Sequence, residues 1–318
     1  MNTSIIFSVG TFSVTPFSLA LALSVAVGLG VLLIFHKYWC QSLDNLSLFA
    51  LIALSLAWMG ARLYYCLARL PLYIEIGLEN IFKVQEGGFA IWGAILGTVL
   101  AALIVAKRAG QRPVAFLNSI APAGALTLAL GRLAEGLSGE GYGPLVENSS
   151  FSFFPLAIKN EWGEWYFAIF ILEALTAFVL FLLLLRTNRK GGRSAHLFFI
   201  VYCTTQILYE SLRRDSMLRW LFVRVSQLNA ALVLGGMMFY FLAVWKKHAS
   251  GKRKPARYLA LRWAGFLLCA AGIILCEFAV DKSASLSVGM SYLIMSLFCL
   301  GVGICAYQLT DPERLLSA

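Results

Sequence analysis

Apolar residues along this chain run in long stretches divided by short polar segments. A bilayer core about 30 Å thick needs roughly 20 apolar residues of helix to cross it. On that measure the stretches predict spans near 16–35, 46–67, 88–106, 114–134, 165–185, 195–212, 223–245, 259–280 and 286–308. Two depart from a plain apolar run. The fourth contains Pro122 and ends in polar sequence from Arg132, which predicts a broken or re-entrant helix lining a cavity. The sixth is short and carries Gln206 and Glu210.

Composition agrees with a lipid solvent. Of 318 residues, 60% are hydrophobic and 13% charged, whereas soluble domains run about 45–50% apolar and about a quarter charged. A water-facing globule cannot hide that much apolar surface. The expected fold is an all-α integral membrane protein, a polytopic helical bundle of about nine transmembrane helices.

Charge orients it. The first 35 residues hold neither Lys nor Arg, which predicts an outer N-terminus and argues against a cleaved signal peptide. Lys107, Arg108, Arg112, Arg186, Arg189, Lys190 and the run Lys246–Arg257 then fall on the cytoplasmic side, with the C-terminus inside. The outer 137–164 loop is acidic, with Glu140, Glu147, Glu161 and Glu164 against Lys159. Basic inner loops account for the net charge of +10, so nucleic acid is not an expected partner. The seven cysteines show no C-x-x-C or metal spacing, and neither a metal nor a cofactor is expected. The chain divides into a seven-span part (1–245), a basic linker (246–258) and a two-span hairpin with a short tail (259–318). The hairpin reads as an element that packs or partners.

Ionisable groups at membrane depth are costly and mark candidate sites. Arg62 ends the second span, Arg132 and Glu135 end the fourth, Glu140 follows, and Glu173 lies in the fifth. Tyr202, Gln206, Glu210 and Arg213 share one helical stripe. Five glycines surround the Arg132–Glu140 stretch, Gly131, Gly136, Gly139, Gly141 and Gly143, which would let backbone approach a ligand. These groups predict a wet pocket toward the outer leaflet. Buried ion pairs that only fix helix packing are the other reading, and the residues leave both open. His36, His196 and His248 all fall at cytoplasmic ends or linkers, so an outer-face base would be Glu135, Glu140, Glu210 or a tyrosine.

Six stretches, in matching order along the chain, resemble the prolipoprotein diacylglyceryl transferase family. Ile81–Gly93 is similar to the family's third-helix motif, and Gly131–Gly143 to its signature Gly-Arg-x-Gly-Asn-Phe-x-Asn-Gly-Glu. Gly60-Ala61-Arg62 and Ile120-Ala121-Pro122 match upstream. Glu210–Asp215 resembles Glu-Phe-Leu-Arg-x-Asp, and Ser226-Gln227-Leu228 resembles Gly-Gln-Ile/Leu. The likeness spans about residues 5–245.

The resemblance implies transfer of a diacylglyceryl group from phosphatidylglycerol, or another anionic phospholipid, to the lipobox cysteine of a preprolipoprotein signal segment. The site would face the outer leaflet of a bacterial inner membrane. Taken with the polar positions above, it gives Glu135, Glu140 and Tyr202 as the expected catalytic groups, with Glu135 the expected base because it lies one helical turn from Arg132, and Arg132, Arg62, Gln206, Glu210, Arg213, Gly88 and Trp92 as the expected substrate-binding ones. Departures are several. Trp92 stands where the family has histidine, Glu135 where it has asparagine, Gln206 where it has arginine, and Phe17 where it has tyrosine. A histidine-containing stretch survives only as Glu173, with Phe167 at the histidine's place. These substitutions point to divergent or weakened transfer. A non-catalytic relative binding anionic lipid or lipoprotein precursors, and another outer-leaflet lipid-modifying enzyme, are the alternatives.

Overall fold

A computed structural model describes residues 5–9, 12–160, 162–187, 193–214, 218–220, 223–248, 256–282 and 288–310. Residues 249–255 of the basic linker, with Arg189, Lys190 and Glu161, lie outside them. The helices are α1 (Pro16–Ile34), α2 (Leu43–Ala68), α3 (Leu70–Ile76), α4 (Ile91–Arg108), α5 (Pro113–Glu135), α6 (Ile169–Thr187), α7 (Ser194–Leu212), α8 (Val225–His248), α9 (Ala256–Lys282) and α10 (Val288–Leu309). Eight of these, all but α3 and α7, are long and apolar enough to cross a membrane. The α7 helix is the expected sixth span; it is long enough, but with His196, Gln206 and Glu210 along it, it is not among the helices apolar enough to cross. The chain is a polytopic all-α membrane protein, as the apolar runs predict.

Local chemistry starts the helices where the hydrophobic pattern does. Thr15 and Ser18 form a reciprocal capping box at α1, with Pro16 in its first turn, and the Ser42 hydroxyl accepts from the Asn45 N–H at α2. The fifth span starts at Ile169 rather than 165, because Trp165–Phe167 pairs as a strand with Ala157–Lys159 (Ala157↔Phe167, Lys159↔Trp165). The expected break at Pro122 does not occur. The α5 helix runs unbroken through Pro122, which is fully buried. Packing on neighbouring helices offsets the lost backbone bond, about 3 kcal/mol in an exposed helix.

The structure divides into two compact units, one of residues 1–198 with 213–225, the other of 199–212 with 226–318. In the first, α2 packs on α4, and α5 packs on α1, α4 and α6. The α2–α4 contact is backbone on backbone: a Cβ on Gly93 would lie 2.2 Å from the Gly60 carbonyl oxygen, and one on Gly97 2.2 Å from that of Leu56. Without a hydrophobic drive between helices in lipid, such close approach supplies the attraction. An apolar core of Leu32, Trp39, Leu46, Phe49, Val105 and Phe116 gathers at one end of this unit, where α5 begins. The polar groups lie at the other end of α5. Leu19, Leu23, Leu51, Leu100, Leu175 and Leu182 stay exposed along the helices, which suits lipid contact. In the second unit α9 packs on α10.

Candidate functional site

The last turn of α5 brings Arg132 and Glu135 onto one face, one helical turn apart. Their side chains meet, Arg132 Nη1 to Glu135 Oε2 at 2.6 Å. Tertiary structure then adds two partners from elsewhere in the chain. Arg132 Nε lies 2.6 Å from Oε2 of Glu173 on α6. Arg213, just beyond α7, pairs through Nη2 with the other oxygen of Glu135 and through Nη1 with Glu173 Oε2 at 3.7 Å. Two guanidiniums and two carboxylates thus alternate in a ring with no net charge. The side chains of Arg132, Arg213 and Glu173 are 8%, 5% and 4% exposed, so water screens these pairs little. The Arg214 N–H, donating to the Tyr142 carbonyl at 2.9 Å, ties the segment after α7 to the loop after α5.

Glu173 is the member that the sequence reading left unassigned. Its signal was present: a carboxylate inside an apolar span is rarely retained without a partner. Which partner it takes depends on how α6 is rotated against α5, and no local pattern encodes that.

The glycine-rich run has a packing explanation as well. A Cβ on Gly136 would lie 2.3 Å from the Phe170 ring, and one on Gly141 2.7 Å from the Phe170 Cβ. These glycines seat the loop on the first turn of α6. Glu140 lies between Gly139 and Gly141, whose φ angles are +77° and +82°, and is exposed. Partial burial raises the pKa of the Tyr142 hydroxyl above its ordinary value.

Arg62 is engaged differently from Arg132 and Arg213. Its Nε donates to the Ile81 carbonyl at 3.0 Å, Nη2 to Asn80 at 3.0 Å and Lys83 at 3.1 Å, and Nη1 to Gly88 at 3.2 Å and to Gly87. A guanidinium has five N–H donors, and here five carbonyls meet them. Gly88, at φ +80°, belongs to the same device, since a Cβ there would lie 2.8 Å from Arg62 Nη1. Both residues build the segment that leads into α4, where Trp92 is buried in the first turn.

In the second unit α7 carries three members of the predicted stripe, Tyr202, Gln206 and Glu210, whereas the fourth, Arg213, lies beyond the helix end at Leu212. Gln206 Nε2 donates to Glu210 Oε1 at 3.0 Å, and Tyr202 is buried one turn earlier. His36 and His196, which share the first unit with the ring, are remote from it. The Ala195 N–H, beside His196, donates to the Asn118 side chain, and Asn118 precedes Arg132 by about 21 Å along α5 at 1.5 Å per residue. His36 follows α1 at the end where the apolar core gathers. Among the described residues, no group of three or more His, Cys, Asp or Glu is arranged to hold a metal.

Residues 4–243 match the family described as prolipoprotein diacylglyceryl transferase. The chain belongs to that family. It is thereby a membrane transferase by type, and a multi-pass protein of a bacterial membrane. It is similar to the phosphatidylglycerol–prolipoprotein diacylglyceryl transferase of Clostridium botulinum strain Langeland, 30% identical over 249 residues that make up 76% of this chain and 97% of that protein. The Clostridium kluyveri protein of the same description is 30% identical over 246 residues, 75% of this chain and 96% of its own. One from Streptococcus pyogenes serotype M5 is 29% identical over 207 residues, 62% of this chain and 78% of its own. The hairpin α9–α10 lies beyond the family match.

Proposed function

We propose that this family member transfers the diacylglyceryl group of phosphatidylglycerol to the lipobox cysteine of a prolipoprotein, at the outer leaflet, with residues 1–245 as the transferase part. The family match over 4–243 supports that boundary. The observation that carries the chemistry is the buried ring of Arg132, Glu135, Arg213 and Glu173.

In the reaction the cysteine sulfur attacks the glyceryl carbon bonded to the phosphate. A sulfur–carbon bond forms, the carbon–oxygen bond breaks, and its electron pair leaves on glycerol phosphate. The thiol proton passes to a base. Phosphate charge grows from one negative toward two as the bond breaks, so donors aimed at it bind the transition state better than the lipid. Arg132 and Arg213 are suited to this, being bidentate, permanently charged and shielded from water. In the ring Glu135 and Glu173 hold those guanidiniums in place, and an incoming phosphate competes with them for the same donors. Arg62 is left out of the phosphate set, because loop carbonyls meet its donors.

Glu135 takes a holding role rather than that of a base. Both of its oxygens face guanidiniums, and accepting a proton would break one of those pairs. Glu140, exposed between two glycines, is the carboxylate we assign to take the thiol proton. Tyr202, Gln206, Glu210 and Trp92 remain candidates for substrate contact.

The test is lipidation of a prolipoprotein peptide in vesicles containing phosphatidylglycerol. Arg132→Ala should weaken phosphatidylglycerol retention about ten- to a hundred-fold, the worth of one charge-assisted bond. Glu140→Gln should remove the acid limb of the pH–rate profile, while Glu135→Gln should raise the KM for lipid. Unchanged retention and turnover in the Arg132→Ala protein would overturn the phosphate role. Absence of wild-type turnover, where the Clostridium botulinum protein is active, would overturn transfer itself.

A further inference from the structure

The hairpin α9–α10 is an addition relative to the Clostridium botulinum protein, which is matched over 97% of its own length within three-quarters of this chain. It carries Glu277 near the end of Leu259–Phe278, the apolar span within α9. An ionisable side chain at that depth is costly unless a partner uses it. Glu277 has one. The Ser211 hydroxyl, in the last turn of α7, donates to Glu277 Oε2. Gln227 of α8 donates through Nε2 to the same hydroxyl oxygen at 3.2 Å and to the Ile207 carbonyl at 3.2 Å. The hydroxyl of Tyr292 on α10 donates to the Ser211 backbone carbonyl at 3.1 Å.

The arrangement has a physical reason. The last four carbonyls of a helix have no partner within it, and Ser211 carries one of them, buried. Tyr292 satisfies that carbonyl and Glu277 satisfies the hydroxyl, so each helix of the hairpin contributes one hydrogen bond to the same residue. Ser211 is bonded to Glu210 in the chain, and Glu210 accepts from Gln206 at 3.0 Å. A shift of this turn moves the Gln206–Glu210 pair with it.

We propose that Glu277 is a positioning residue for the transfer reaction: by accepting the hydrogen bond of the Ser211 hydroxyl it fixes the last turn of α7 and the Gln206–Glu210 pair on it. The proposal rests on the transferase reading above and adds a role for the hairpin. What is required is an acceptor atom rather than a charge, so glutamine should serve where leucine does not.

The experiment uses the full chain in nanodiscs containing phosphatidylglycerol, as wild type, Glu277→Leu, Glu277→Gln, Ser211→Ala and the Glu277→Leu/Ser211→Ala double variant. Two quantities are read: kcat and KM per folded, monodisperse protein, and amide hydrogen exchange of residues 207–212. Glu277→Leu should lower kcat about tenfold and speed exchange about tenfold, the worth of one buried hydrogen bond. Glu277→Gln should restore both to within about twofold. Ser211→Ala should match Glu277→Leu, and the double variant should add nothing further. Wild-type kcat and exchange in Glu277→Leu would overturn the proposal, as would a glutamine variant as impaired as the leucine one. If the wild type transfers nothing, the transferase reading fails by itself. Exchange then decides the inference: faster exchange in Glu277→Leu, reversed by glutamine, upholds the positioning of α7, and unchanged exchange overturns it.

Discussion

Glu173 is where the ion-pair ring is most open to quantitative attack. Glu173→Gln removes one of four charges and leaves two guanidiniums facing one carboxylate in a buried place. Glu173 Oε2 lies 2.6 Å from Arg132 Nε and 3.7 Å from Arg213 Nη1, with its side chain 4% exposed. Two unit charges about 4 Å apart attract by about 4 kcal/mol at an effective dielectric of roughly 20. Removing one partner of a buried pair costs about 3–5 kcal/mol, most of it the desolvation of the charge left behind. Glutamine keeps an oxygen toward the arginines, so the expected loss is near the lower end, about 3 kcal/mol. Restoring neutrality should recover part of it. In Glu173→Gln/Arg132→Gln the remaining Arg213 still faces Glu135, and the double variant should be more stable than the sum of the singles by about 1–3 kcal/mol. Reversible unfolding by denaturing detergent in mixed micelles measures all three. The four-charge account is refuted if the single losses simply add, or if Glu173→Gln is as stable as wild type.

Three further outcomes test other parts of the structure. Arg62→Gln should free the 78–88 segment, raising amide exchange there by roughly tenfold or more as charge-assisted bonds to carbonyls are lost; exchange unchanged from wild type would reject its role as an organiser of that loop. Gly97→Leu should force α2 and α4 apart, because a Cβ there would meet the Leu56 carbonyl oxygen at 2.2 Å; the expected cost is about 1–3 kcal/mol, read as a lowered Tm in detergent, and an unaltered Tm would count against the tight crossing. Reporter fusions after residues 110, 190 and 250 should report cytoplasm and those near 145 and 283 the outside, and a cytoplasmic signal at 145 would put Glu140 at the wrong leaflet for the proposed reaction.

The sequence by itself determined the solvent, the helices and their approximate limits. A span is a one-dimensional property: it depends on how many successive residues are apolar compared with the thickness of a bilayer. All nine predicted spans accordingly appear as helices, with a shift of four residues at Ile169, where a short strand pairing takes the first positions. The Arg132–Glu135 contact was legible for a similar reason, since residues three apart on a helix share a face. What the tertiary structure decided is which distant group each polar side chain meets. Glu173 and Arg213 close the ring from α6 and from beyond α7, Arg62 turns to loop carbonyls, and Gly136 and Gly141 make room for Phe170. Pro122 reads as a helix breaker in the chain and is absorbed in the packed bundle. Periodicity tells which residues share a face of one helix. The rotation and depth of that helix against its neighbours come from close packing summed over the whole bundle, and those two quantities choose the partners of every buried charge.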